Sequence, residues 1–210
     1  MKLTKHEHAC VTLEKDGTTI VIDPGVFASA VEDVIAAADA VLVTHEHPDH
    51  VDEGVLKKAL ASRPELRVYG PKALAGKFGA QFVAVGAGDG FDAGGFHVTV
   101  HGGEHAVIHP DIPTVSNVGF LVDESVYHPG DAYYAPGVPV HTLLVPTSGP
   151  WCKVGETVDF VRAVSPEQSI QIHEMLLSDI GLGLAASMLG KDGLTGIPFS
   201  ALKAGSSVTI

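Results

Sequence analysis

The chain has 210 residues, 45% of them hydrophobic, which is ample for a sizeable core and suits one domain spanning residues 1–210. Its formal net charge of -12 argues against a nucleic-acid partner, because neutralising phosphates requires a basic surface. No apolar run reaches the roughly 18 residues needed to cross a bilayer, so a membrane partner is not expected either.

The chain opens with β-structure. Val11–Glu14 and Thr18–Ile22 alternate in polarity around Lys15-Asp16-Gly17, an Asp-Gly turn signal. Asp23-Pro24-Gly25 breaks the second run. Val31–Ala38 has helical composition, and Ala40–Thr44 is the continuous apolar run of a buried strand. Asp52 is placed to cap a helix over Glu53–Ala61, ended by Pro64. Arg67–Tyr69 reads as a short strand, and Pro71 as the first turn of a helix. Strands are expected at Gln81–Val85 and Phe96–His101, with the Gly-rich stretch Gly86–Gly95 as loop and turn between them. Asn117–Val122 and Ser125–His128 form a pair turned at Asp123-Glu124. Val140–Val145 and Ser169–Ile172 are further strands, Val154–Val164 a helix, and Glu174–Leu189 mostly helical. Val208–Ile210 is placed to close a sheet edge. Many strands with interspersed helices favour two packed sheets with helices outside.

The densest chemistry follows the apolar run Ala40–Thr44. His45-Glu46-His47-Pro48-Asp49-His50 reads HxHxDH. In an extended segment His45, His47 and Asp49 share a face, and a turn at Pro48 brings His50 round to a second position. Imidazole with carboxylate is the ligand set of a divalent ion such as zinc, iron or manganese. Four donors in so short a loop point to two ions. Three more candidates follow β-like runs: His105 after Phe96–His101, Asp131 after Ser125–His128, and His173 after Ser169–Ile172. Loops held by rigid elements are where functional side chains concentrate.

These residues, in this order, resemble the signature of the metallo-β-lactamase superfamily: an early Asp, HxHxDH, a His, an Asp and a final His. The matching positions are Asp23, then His45, His47, Asp49 and His50, then His105, Asp131 and His173. The resemblance implies an α+β, four-layer αββα sandwich of two mixed sheets flanked by helices. It implies two divalent metal ions, zinc first with manganese or iron as alternatives. His45, His47 and His105 would hold one ion, Asp49, His50 and His173 the other, and Asp131 would bridge them. Asp23 would orient the loop by accepting hydrogen bonds from its imidazoles. His8-Ala9 resembles the Gly-His-Ala stretch of the branch containing L-ascorbate-6-phosphate lactonase, with Glu7 in place of the glycine, and places His8 beside the site.

The implied activity is hydrolysis of a small molecule, a lactone, ester or phosphoester, by a hydroxide bridging two ions roughly 3.5–4 Å apart. Asp49 would also take the proton from the attacking water. A non-catalytic metal-binding or sensing module on the same fold is the alternative. Substrate contacts are expected from Trp151 by packing, from Lys153 by holding an anionic group, and from Tyr133 beside Asp131. Met1–His6 lacks the apolar core of a signal peptide, and the two cysteines, Cys10 and Cys152, form no CxxC, so a cytoplasmic setting with reduced thiols is expected. A homo-oligomer remains open.

Overall fold

The computed structural model describes every residue, Met1–Ile210. Two seven-stranded mixed sheets carry the chain. The first is built from β1 (Lys2–Lys5), β2 (Val11–Lys15), β3 (Thr18–Ile22), β4 (Ala40–Leu42), β5 (Arg67–Gly70), β6 (Phe82–Ala84) and, at its other edge, β14 (Ser207–Thr209). The second contains β7 (Gly90–Ala93), β8 (Phe96–Glu104), β9 (Ser116–Val122), β10 (Val126–His128), β11 (Thr142–Pro146), β12 (Gln168–Ile172) and β13 (Phe199–Ser200). The order in space is β14-β1-β2-β3-β4-β5-β6 in one and β13-β12-β11-β10-β9-β8-β7 in the other.

Period-two alternation sorts the side chains into layers. Leu13, Ile20, Ile22 and Leu42 point inward from the first sheet to meet Phe96, Val98, Val100, Phe120, Val122, Leu144 and Ile172 from the second. The alternate residues Val21, Val41, Val43 and Val68 face outward, under α1 (Val31–Ala37) and α2 (Glu53–Ser62), which bury Ile35, Leu56 and Leu60 against them. On the far side, Leu121, Tyr127, Leu143 and Val145 lie under α3 (Val154–Val164) and α4 (Asp179–Leu189), which contribute Val158, Phe160, Val161 and Leu189. The result is the expected αββα sandwich.

Several elements differ from the sequence reading. Part of the Gly-rich stretch is strand: β7 pairs antiparallel with β8 through the turn Gly94-Gly95, whose φ values of 53° and 78° suit a tight hairpin. The chain starts in a strand, β1, with Leu3 buried, and β8 runs on through Gly102-Gly103 to Glu104. Pro71 opens only a single 3₁₀ turn, Lys72–Leu74. Helix α4 begins at Asp179 rather than Glu174, because Ser178 caps it by accepting from the Gly181 amide at 3.3 Å. The edge strand at the C-terminus forms as expected, β14 pairing antiparallel with β1.

This topology brings the chemistry to one end. β3 and β4 run parallel, as do β10, β11 and β12, and β8 shares their direction through two antiparallel steps. The C-terminal ends of β3, β4, β8, β10 and β12 therefore lead into the segments bearing Asp23, HxHxDH, His105, Asp131 and His173. Backbone bonds stitch the two sheets together there: Val118 N to Thr44 O at 2.9 Å, and His173 N to His8 O at 3.0 Å.

Candidate metal centre

The HxHxDH segment leaves β4 and does not stay extended. The amides of His50 and Val51 both donate to His47 O, at 3.0 and 3.1 Å, closing a turn around Pro48. The alternation expected from an extended strand therefore fails after His47. His45 and His47 face one way, while Asp49 and His50 go to a second position. Gly25 makes the turn possible from below: a Cβ there would lie 2.0 Å from Asp49 O.

Two groups of potential ligand atoms result. One contains His45, His47, His105 and Asp131, the other His8, Asp49, His50 and His173. Within each group the atoms all lie within 4.8 Å of one another. Asp131 links the groups. Its Oδ1 lies 3.0 Å from His50 Nε2, and its Oδ2 lies 3.3 Å from His105 Nε2 and 3.1 Å from His173 Nε2.

Three of the imidazoles, those of His50, His105 and His45, are turned by what the other nitrogen meets. His50 Nδ1 lies 2.6 Å from Asp23 Oδ2, leaving Nε2 to point inward. His105 Nδ1 donates to Ala106 O at 2.6 Å, with the same effect. His45 Nδ1 lies 3.0 Å from Thr44 Oγ1, and its Nε2 faces His47 Nδ1 at 3.1 Å. Asp23 is fully buried and organises this layer, accepting from the Thr44 amide at 2.8 Å and from the Thr44 hydroxyl at 2.7 Å. Asp23 thereby ties His50 and Thr44 together beneath the HxHxDH turn.

His8 comes closer than the sequence suggested. Its Nε2 is 3.0 Å from Asp49 Oδ2, and its ring lies 3.7 Å from that of His173, centroid to centroid. Glu174 accepts from the His8 amide at 3.3 Å and from the buried Lys5 ammonium at 2.9 Å. His8, Asp23 and His173 all adopt the left-handed region, with φ of 58°, 52° and 56°. Backbone strain of this kind persists where the surroundings over-determine a position.

The groups set one another's charge. Burial pushes the Asp131 carboxyl up, but the charge of His50 and the neighbouring His105 and His173 outweigh it and hold it well below the usual carboxylate range. Burial likewise opposes ionisation of Asp49, yet His173, His8 and His50 keep it low. Burial and the nearby His50 lower His45, favouring the neutral imidazole that a metal requires.

Six buried atoms of the two groups have no hydrogen-bond partner, and four of them, His50 Nε2, His105 Nε2, His173 Nε2 and Asp131 Oδ1, face one another across the cluster. Leaving buried polar groups unpaired costs about 1–3 kcal/mol each. Their convergence from separate strands is what a cation-binding site needs, and the nitrogen and carboxylate donor set fits divalent zinc, manganese or iron.

The expected substrate contacts fare differently. Trp151 is buried, and its Nε1 donates to Asp131 Oδ2 at 3.0 Å. The Tyr133 hydroxyl turns toward α3, to Thr157 Oγ1 at 2.6 Å and Cys152 Sγ at 3.0 Å. Lys153 lies on the surface, ion-paired with Glu156 at 3.1 Å, and is not brought to the cluster. Sequence reasoning missed the anchors of the Asp131 loop: Asn117 Nδ2 donates to Pro129 O, and Asn117 Oδ1 accepts from the Asp131 amide. Gly130 is the local signal for this packing, since a Cβ there would lie 2.2 Å from Asn117 Oδ1.

Comparison with known proteins agrees with this picture. Residues 2–173 match the model of the β-lactamase superfamily domain. The chain is 36% identical over the full length of both proteins to Protein Rv0786c of Mycobacterium tuberculosis. It is 33% identical to UPF0173 protein PF0020 of Pyrococcus furiosus, across 82% of this chain and 83% of that one. A shorter match, 31% identical over 62% of this chain and 63% of the relative, is to a UPF0173 metal-dependent hydrolase of Anoxybacillus flavithermus. Among solved structures, Igni18, a metallo hydrolase from Ignicoccus hospitalis, superimposes with a TM-score of 0.75 at 19% identity, covering 99% of this chain and 97% of that one. By its fold, its ordered donor residues and these matches, the chain belongs to the metallo-β-lactamase superfamily and, within it, to the UPF0173 family.

Proposed function

We propose that this protein is a dinuclear metal-dependent hydrolase of a small-molecule lactone, ester or phosphoester. One observation carries the reading: two four-residue ligand groups meet at the single carboxylate of Asp131. The relatives named as metal-dependent hydrolases support the reaction class. His45, His47 and His105 would hold one ion, Asp49, His50 and His173 the other, with Asp131 shared. Zinc is the favoured ion, with manganese or iron as alternatives. Bound there, such ions supply Lewis acidity, polarising a substrate oxygen and making water acidic enough to attack near neutral pH.

The chain's own residues do the rest. Asp49 meets His8, His50 and His173 through Oδ2, which leaves Oδ1 to accept the water's proton. His8 holds that carboxylate in place through Nε2. The buried walls formed by Trp151 and His173 keep bulk water from the shared carboxylate. No helix is long and apolar enough to cross a membrane, and both cysteines are free.

Elemental analysis after chelation and reloading tests the centre. The wild-type protein should return two ions per chain, and Asp131→Ala one or none. Full loading of that variant would remove the shared-carboxylate assignment. Asp49→Asn should keep most of its metal while hydrolysis falls about 10²–10⁴-fold. Turnover at the wild-type rate would mean that the proton acceptor is another group.

A further inference from the structure

The loops that follow the metal-ligand strands expose apolar side chains. Of the centre's ligand groups, Asp49 and His47 reach solvent, while the imidazoles of His45, His50, His105 and His173 are buried, so a substrate must approach over Asp49 and His47. Three loops leave the donor-bearing strand ends around that opening, and each carries large hydrophobic side chains exposed to water. They are Val26 and Phe27 after Asp23, Val107 and Ile112 after His105, and Met175 and Leu176 after His173. These six make up half of the twelve large hydrophobics that the whole chain exposes. Scattered exposed apolar residues are ordinary, but a concentration around one opening marks a binding surface.

Contacts tie these loops to the cluster. The Phe27 ring meets the His8 ring edge-on at 5.0 Å, and the Val26 amide donates to Pro48 O inside the HxHxDH turn at 2.9 Å. Ile112 shares a small cleft with His47 and His105. Leu176 lines a groove of about 460 Å³ together with Thr147, Ser148, Gly149, Pro150 and Cys152, the segment that flanks Trp151.

The cations that contact residues next to the metal ligands are already paired with carboxylates. Arg63, Arg67 and Arg162 are spent on backbone carbonyls elsewhere, at Ile35 and Ala36, at Pro64 and Leu66, and at Leu194. Lys77 is paired with Glu46 and Glu53, Lys5 with Glu174, and Lys153 with Glu156. With these cations already paired and a formal net charge of -12, the surroundings favour an uncharged substrate over a phosphorylated one.

From this we infer that the substrate is an uncharged ester or lactone with an alkyl or aryl arm, which lies against Phe27, Ile112 and Leu176 while its carbonyl meets the centre. The inference rests on the hydrolase reading above and narrows its substrate class.

The test separates the two. Acetohydroxamate, hexanohydroxamate and octanohydroxamate share one chelating head and differ only in the arm, and their dissociation constants on the zinc-loaded protein are read by calorimetry. Affinity should rise about twofold to fourfold per methylene. The double variant Phe27→Ser with Leu176→Ser should keep its metal content and lose most of that gain. A flat series, no binding of any hydroxamate, or an unchanged slope in the double variant would overturn the apolar rim. Hydrolysis is then compared between p-nitrophenyl octanoate and p-nitrophenyl phosphate. Faster hydrolysis of the phosphate would also overturn the inference. A rising hydroxamate series without hydrolysis of either compound would uphold the rim and count against the hydrolase reading alone.

Discussion

The two ligand groups are built by opposite means. The first, with His45, His47 and His105, draws on short-range supports. His45 leans on its neighbour Thr44, His105 on the adjacent Ala106 carbonyl, and His47 is half-buried at the mouth. The second is assembled from distant parts of the chain. His50 is set by Asp23, Asp49 by His8, and His8 in turn by the backbone of His173 and the buried Lys5–Glu174 pair. Its members include two of the three left-handed residues at the site, and the third, Asp23, supports it. One group is thus a local motif held by nearby partners. The other is a joint between the two sheets, and damage to the sandwich should reach it first.

The largest break in that contrast should come from Asp23→Asn. Asp23 takes three hydrogen bonds inside a fully buried pocket: two from Thr44 and one from His50. An amide cannot accept on both sides, so a buried donor is left unpaired. We expect a loss of about 3 kcal/mol in the chelator-stripped protein, a fall of roughly 10 °C in Tm by calorimetry. On reloading, the ion held by His50 should be lost before the ion held by His47. Equal loss of both would show that the two groups are not separately supported.

His8→Ala should act more narrowly. It frees Asp49 Oδ2 and removes the ring that lies on His173, with no contact to His45, His47 or His105 among its hydrogen bonds or ring packings. Affinity for the second ion should fall about 10–100-fold, the usual cost of losing an orienting partner, while the first ion binds as before. Competition titration with a chromophoric chelator measures both steps. A matching drop in the first step would mean that His8 supports the whole centre.

The same contrast explains what could be read from the sequence. HxHxDH is legible because its donors are neighbours in the chain, and the strands before His105, Asp131 and His173 are legible because their apolar alternation is strong. The layered fold follows from that alternation, Ile20 and Ile22 facing one way and Val21 the other. The resemblance places His8 beside the site, but its pairing with Asp49 is not legible, since 41 residues separate them and only the pairing of the sheets brings them together. Nor is the direction of a side chain at a strand end. Trp151, Tyr133 and Lys153 are consecutive or nearby in sequence with Asp131 and Cys152, yet one turns to the shared carboxylate, one to α3 and one to water. The strand β7 was hidden because glycine carries no propensity signal, and its place is set by the register against β8.

Trp151 offers the smallest and sharpest test, because it touches Asp131, the residue that links the two groups. Its indole Nε1 donates to Asp131 Oδ2, and Gly149, at φ 139°, makes room for it: a Cβ there would lie 2.8 Å from Nε1. Trp151→Phe keeps an aromatic ring against Tyr133 and His105 and removes the donor alone. A hydrogen bond to a charged acceptor contributes about 1.5–3 kcal/mol, but the neighbouring imidazoles and a bound ion can recover part of that, so we expect roughly a tenfold loss of affinity. The loss should appear in both binding steps, where His8→Ala affects only one. Trp151 is the only tryptophan of the chain, so the wild-type protein reports on itself. Its emission should change over both steps of a metal titration if Asp131 engages both ions, and over one step if the carboxylate belongs to a single group.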